Sequence, residues 1–338
     1  MLRYWSWLLV GLSLFSSLTL AAPERGRNGT GGNRNGRQTA QQQAASVPQV
    51  ESTASDGSRI VDMTATVNGL QMRFKVSAPE DQFVSTSAVR RQLSNATSAS
   101  NSTSPGTMGL NVLLHGDGGQ SFFDFPNQNV QANLMGVVIL APDPNLFWGG
   151  GQGLQRTDGA EHSQAVADLI TDVMPQIVNF DPQQVFFTGV SGGALMMSGF
   201  FIPRQMQKFP KGGVLLNCGG LPPQVDFVDP NVLATTTIHH QSTQQELASL
   251  QQSIPDAVAA YAQAASDAGL SADQVNQLQT VDNTPDGGHC AFDEVGFVSG
   301  IQLMADSYAN VIQQGGNGQV NGIGNVRRGV VGAQLTFV

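Results

Sequence analysis

Short, nearly unbroken apolar runs separated by amphipathic helical stretches predict an α/β fold whose mainly parallel central sheet is covered by helices on both faces. Leu110–Leu114, Gly136–Leu140 and Val214–Leu216 are such runs, too short for helices and apolar but for Asn111. Between them, Val166, Leu169, Ile170, Val173 and Ile177 recur at helical spacing behind Asp158 and Glu161. A third observation sets the entry to the sheet. Val61, Met63, Ala65 and Val67 alternate with polar residues, Asn68-Gly69 follows, and Leu70, Met72, Phe74 and Val76 alternate again, which predicts an antiparallel hairpin on a type I′ turn.

The remaining elements follow in order. A Ser/Thr/Asn-rich excursion, 85–107, reads as a flexible surface insertion before the strand at Leu110. Phe122–Leu134 is predicted helical, Gly136–Leu140 a strand stopped by Pro142, and residues 184–188 a strand. Val214–Leu216 and Thr235–Ile238 read as two further strands. Glu246–Gly269 and Ser271–Gln279 read as helices, the second opened by Ser271 with Gln274 closing a capping box. A last helix, Phe292–Ile312, precedes a Gly/Asn-rich tail, 314–338.

The chain has 338 residues, 40% of them hydrophobic and 12% charged, enough for one large core, here assigned to residues 51–313. Residues 1–21 combine Arg3, an apolar stretch from Leu8 to Leu20 and a small-residue end, the pattern of a secretory signal peptide, so the protein is expected outside the cell. That stretch is short for a stable membrane span. Residues 22–50, rich in Gly, Asn, Gln and Arg, lack the apolar residues to fold alone and are expected to be a disordered linker. Residues 47–338 hold 11 basic against 24 acidic residues, net −13, which argues against a nucleic-acid partner. Sequons at Asn28, Asn95 and Asn101 fit an exported glycoprotein.

The chemistry centres on Gly189-Val190-Ser191-Gly192-Gly193, placed between a strand-like and a helix-like run. Flanking glycines let a chain turn sharply there and project the Ser191 hydroxyl. Acyl transfer also needs a base and donors to an oxyanion. Of five histidines, His289 alone lies on a Gly-rich loop ahead of a terminal helix; His115 belongs to the loop His115-Gly116-Asp117-Gly118-Gly119, His162 to a helix, and His239 and His240 to a strand end. The expected oxyanion donors are the N–H of Gly192 and one from Asp117 or Gly118.

Val112–Gly119, Phe187–Met196 and the Gly288-His289 ending resemble secreted polyhydroxybutyrate depolymerases and feruloyl-esterase-type α/β-hydrolases, over approximately residues 58–312. The resemblance implies an α/β-hydrolase fold and hydrolysis of a polymeric, phenolic or short acyl ester, such as one derived from plant cell wall, with no metal and no organic cofactor. The acid departs from that pattern. Where the family carries an Asp, this chain has Thr243, so Glu246, Asp226, Asp229 and no acid at all stay open. That gap supports the alternative of a non-catalytic hydrolase-fold protein used for binding or cell-wall interaction, and peptidase activity is a third reading. Cys218 and Cys290 are the only cysteines and are expected to pair in an exported chain. Trp148, in a Gly-rich loop, is a candidate for lining a substrate subsite, with core packing as the alternative.

Overall fold

The computed structural model describes residues 40–84, 106–124, 130–313 and 315–338. Nine strands form one sheet in the order β1-β2-β3-β5-β4-β6-β7-β8-β9. The strands are β1 (Ser52–Thr53), β2 (Arg59–Val67), β3 (Leu70–Ala78), β4 (Gly109–Leu114), β5 (Leu134–Leu140), β6 (Val185–Val190), β7 (Gly213–Asn217), β8 (Thr237–Gln241) and β9 (Gln279–Asp282). The hairpin is as expected: β2 pairs with β3 from Val67↔Leu70, and Asn68 and Gly69 both take positive φ, 52° and 85°, as a type I′ turn requires. From β5 across to β9 the sheet is parallel.

All six residues of β4 and of β6 are buried, because both sheet faces are covered. Val112, Leu114 and Phe187 join the core under the helices of residues 159–208, whereas Phe186, Val190 and Leu215 pack against Ile301, Met304 and Tyr308 of the last helix. The helices used below are α1 (Ala40–Ser46), α2 (Gln120–Asp124), α3 (Gly159–Asp168, helical on to 176), α4 (Gly192–Met196, helical on to 208), α5 (Ala248–Asp267), α6 (Ala272–Leu278) and α7 (Phe297–Ile312). Both halves of the Ser271/Gln274 capping box form at the start of α6. From β4 the chain moves to β5 on one side and then to β6 on the other. The carboxyl ends of β4 and β6 therefore flank the point where strand order reverses, the usual place for a ligand crevice in such sheets.

Several segments fold otherwise than the sequence pattern predicts. Phe122–Leu134 is not one helix: α2 ends at Asp124, and Leu134 already belongs to β5, where it packs with Phe186 and Tyr308. The last helix begins at Phe297 rather than Phe292, and β9 is a strand that its four-residue length hid. Residues 40–46, assigned to the linker, form α1, whose Ala44 is buried with Phe122 and Leu140 and whose Ala44 carbonyl accepts from Arg73 at 2.7 Å. The Gly/Asn-rich tail carries β10 (Gln319–Val320) and β11 (Gly324–Asn325), buries Val320, Val326 and Val330, and bridges the edge of β9 through Thr280 and Gly329. An otherwise open sheet edge is thereby covered. The signal segment, Asn28, Asn95, Asn101 and residues 85–105 of the insertion lie outside the described residues.

Candidate active site

Ser191 stands on the turn from β6 into α4 with φ 48° and ψ −110°, a backbone region that costs a non-glycine residue roughly 1–3 kcal/mol. The flanking glycines explain how the turn closes. A Cβ on Gly189 would come within 2.7 Å of Ala194 Cα, and one on Gly193 would overlap the Leu114 carbonyl. The Ser191 N–H donates to the Asn217 carbonyl at 2.8 Å, tying the turn to the end of β7.

His289 Nε2 lies 2.9 Å from Ser191 Oγ. Its Nδ1 bonds to Glu246 Oε1, so one imidazole bridges the hydroxyl and a carboxylate. Glu246 is itself buried: Oε1 also accepts from the Leu247 N–H at 2.8 Å, and Oε2 from Ser242 Oγ at 3.3 Å. With the carboxylate on Nδ1, that nitrogen carries the proton and Nε2 is free to accept one from serine. Asp226 is exposed and Asp229 accepts from the Asn231 N–H at 3.0 Å, so neither shares this arrangement. Thr243 holds the two loops together instead, donating to the Gly288 carbonyl at 3.1 Å beside main-chain bonds from Gln244 to Pro285 and Gln245 to Gly287.

Cys218, at the end of β7, is disulfide-bonded to Cys290, next to His289. Their sulfurs and a His289 ring nitrogen lie within 4.8 Å of one another, but paired sulfurs are not thiolate ligands for a metal. The Phe297 ring, centred 6.1 Å from that of His289, stands 3.7 Å from where a Cβ on Gly116 would be. Phe297 was expected only as part of the terminal helix, with no sequence signal setting it apart.

The oxyanion candidates separate. Gly192 opens α4, so its N–H has no carbonyl one turn back. The Gly118 N–H donates to the Leu146 carbonyl at 3.2 Å and is engaged, whereas the Asp117 N–H has no acceptor among the described residues. His115 orders this loop: Nε2 accepts from the Ala141 N–H at 2.9 Å and Nδ1 donates to the Gly116 carbonyl at 2.6 Å. Full burial holds its pKa down to about 4, so the ring is neutral.

Trp148 does not line a subsite. Its side chain is wholly buried, with its ring 5.5 Å from that of His115 and edge-on to His162 at 6.1 Å, because the glycines after it fold their loop inward over α3. Beneath it lies a residue the sequence did not flag. Arg156, 1% exposed at its side chain, makes a two-pronged ion pair with Asp117, NH1 to Oδ1 at 2.7 Å and NH2 to Oδ2 at 2.8 Å.

A sheet of this strand order, with a serine on the turn after β6 and a histidine and carboxylate on the loops beyond β8 and β9, defines an α/β-hydrolase fold. No protein-family model and no curated protein matches the chain. Among solved structures it is similar to a thermostable esterase at 14% identity, over 68% of this chain and 55% of that one, with a TM-score of 0.45; it thus spans just over half of that protein. It is also similar to an arylesterase at 10% identity, over 81% of this chain and 89% of that one, TM-score 0.44. A feruloyl esterase module from Clostridium thermocellum, complexed with sinapinate, is 13% identical over 75% of this chain and 88% of that one, TM-score 0.41.

Proposed function

We propose that the protein is a serine carboxylic-ester hydrolase, working through Ser191, His289 and Glu246. The observation that carries this reading is one imidazole hydrogen-bonded to both a hydroxyl on a strained turn and a buried carboxylate. His289 takes the Ser191 proton as Oγ attacks the acyl carbon, and the tetrahedral oxyanion is received by the N–H groups of Gly192 and Asp117. Collapse expels the alcohol, protonated by His289, and water then releases the acid by the same steps.

Ester rather than peptide cleavage is favoured by the resemblance of the three motifs. The disulfide supports an oxidising, extracellular setting, in keeping with the signal-like segment. Among the described residues no helix is long and apolar enough to cross a membrane. A polymeric or plant-cell-wall ester is the proposed substrate class, with glycosylation at Asn28, Asn95 and Asn101 belonging to the same reading.

Turnover of a short-chain aryl ester tests it. Mature protein is expected to hydrolyse the ester and Ser191→Ala to lose at least about 10⁴-fold in kcat. Equal turnover by the alanine variant, or no turnover by the wild type across aryl esters of varied acyl chain, would contradict the reading.

A further inference from the structure

Arg156 touches neither Ser191 nor His289, yet it is built into the wall beside them. Its guanidinium satisfies four acceptors at once: both Asp117 oxygens, the Trp148 carbonyl at 3.0 Å and the Gly153 carbonyl at 2.8 Å. Burying so many bonds around a charge at 1% exposure is costly unless the charge is paired, and Asp117 pairs it. The pair abuts the head of α4: a Cβ on Gly192 would overlap Asp117 Oδ1 and lie 3.2 Å from Arg156 NH1. Gly192 is thus required less by the turn than by the ion pair lying against it.

Resting on the esterase reading, we infer that Arg156 is a positioning residue for the oxyanion site, acting through the Asp117 carboxylate to fix the Asp117 N–H. Two physical effects combine. The fork fixes both carboxylate oxygens of Asp117, and a side chain held at both oxygens restricts the rotation of its own peptide away from the reacting oxygen. The carboxylate lies against Gly192, where its charge would repel a developing oxyanion, and the guanidinium bonded to both of its oxygens offsets that charge. His115 and Trp148 pack around the same loop but carry no charge, so neither substitutes for this effect.

The test uses Arg156→Met, Asp117→Ala and the double variant, each read for kcat, KM and affinity for an arylboronic acid that forms a tetrahedral adduct on serine. Each single change is expected to lower kcat on the order of 10²-fold, as loss of one oxyanion donor does, with KM within threefold. Boronate affinity is expected to fall in parallel with kcat/KM, which a merely structural role would not produce. Because Arg156 acts through Asp117, the double variant is expected to be no more than tenfold below the worse single. It also leaves no unpaired buried charge, so it keeps the question open should a single variant fail to fold. A folded single or double variant with kcat within threefold of wild type would overturn the inference, as would losses that multiply in the double. An inactive wild type would overturn the esterase reading instead.

Discussion

At the scale of single residues, Glu246 shows how far a carboxylate can be displaced along the chain and still reach the histidine. The carboxylate stands three positions beyond Thr243, yet the loop returns it to His289 Nδ1 because Ser242 and the Leu247 N–H hold both of its oxygens. Glu246→Gln is expected to lower kcat about 10³-fold or more with little change in KM, since an amide there stabilises neither the tautomer nor the imidazolium. Asp226→Asn and Asp229→Asn serve as controls and are expected to stay within twofold. Steady-state kinetics on an aryl ester decide it; the reverse ranking would move the acid to the β7 loop. Ser191, His289 and the glycines around them were legible because a strand-to-helix turn restricts residue types locally. Arg156 was not, since an isolated arginine carries no sign of the carboxylate it will meet 39 residues away in sequence.

At the scale of elements, the sequence marks long periodic segments and misses short ones. The β2/β3 hairpin and α6 were readable from Asn68-Gly69 and from the Ser271/Gln274 box, local signals that tertiary structure does not override. The four residues of β9 and the Gln/Ala run of α1 hold their structure through partners far away: β9 through β8 and the tail, α1 through Arg73 and Phe122. The disulfide joins two such elements, the end of β7 and the His289 loop, closing 72 residues. In the chain-entropy picture a loop of that length is worth about 4 kcal/mol. Mild reduction is expected to lower esterase activity at temperatures where far-UV circular dichroism is unchanged, because the loop loosens before the sheet does. Activity that falls only together with the dichroism signal would show that the bond supports the whole domain and not the loop.

At the scale of the whole molecule, three wholly buried histidines set a pH limit. Burial holds His115 and His239 down to about 4 and His240 to about 3, against 6.5 for an unperturbed side chain. As pH falls through 6.5 the unfolded chain binds protons that the folded chain refuses, so stability declines, and the decline is complete only near pH 4 for the first two and near 3 for the last. Between pH 7.5 and 5.5 this amounts to about 1 kcal/mol per histidine. Urea denaturation at those two pH values is expected to show a lower midpoint at pH 5.5; an unchanged or higher midpoint would mean that the three rings are protonated in the fold.

Whether Ser191 is a nucleophile is measured directly by fluorophosphonate labelling followed by peptide mass spectrometry. The wild-type protein is expected to take up one phosphonyl group on the peptide containing Ser191. Ser191→Ala is expected to take up none, and Glu246→Gln to react at least tenfold more slowly, because His289 is no longer oriented to receive the proton. Labelling at another residue, or a wild-type Ser191 that does not react while the protein is folded, would contradict the account.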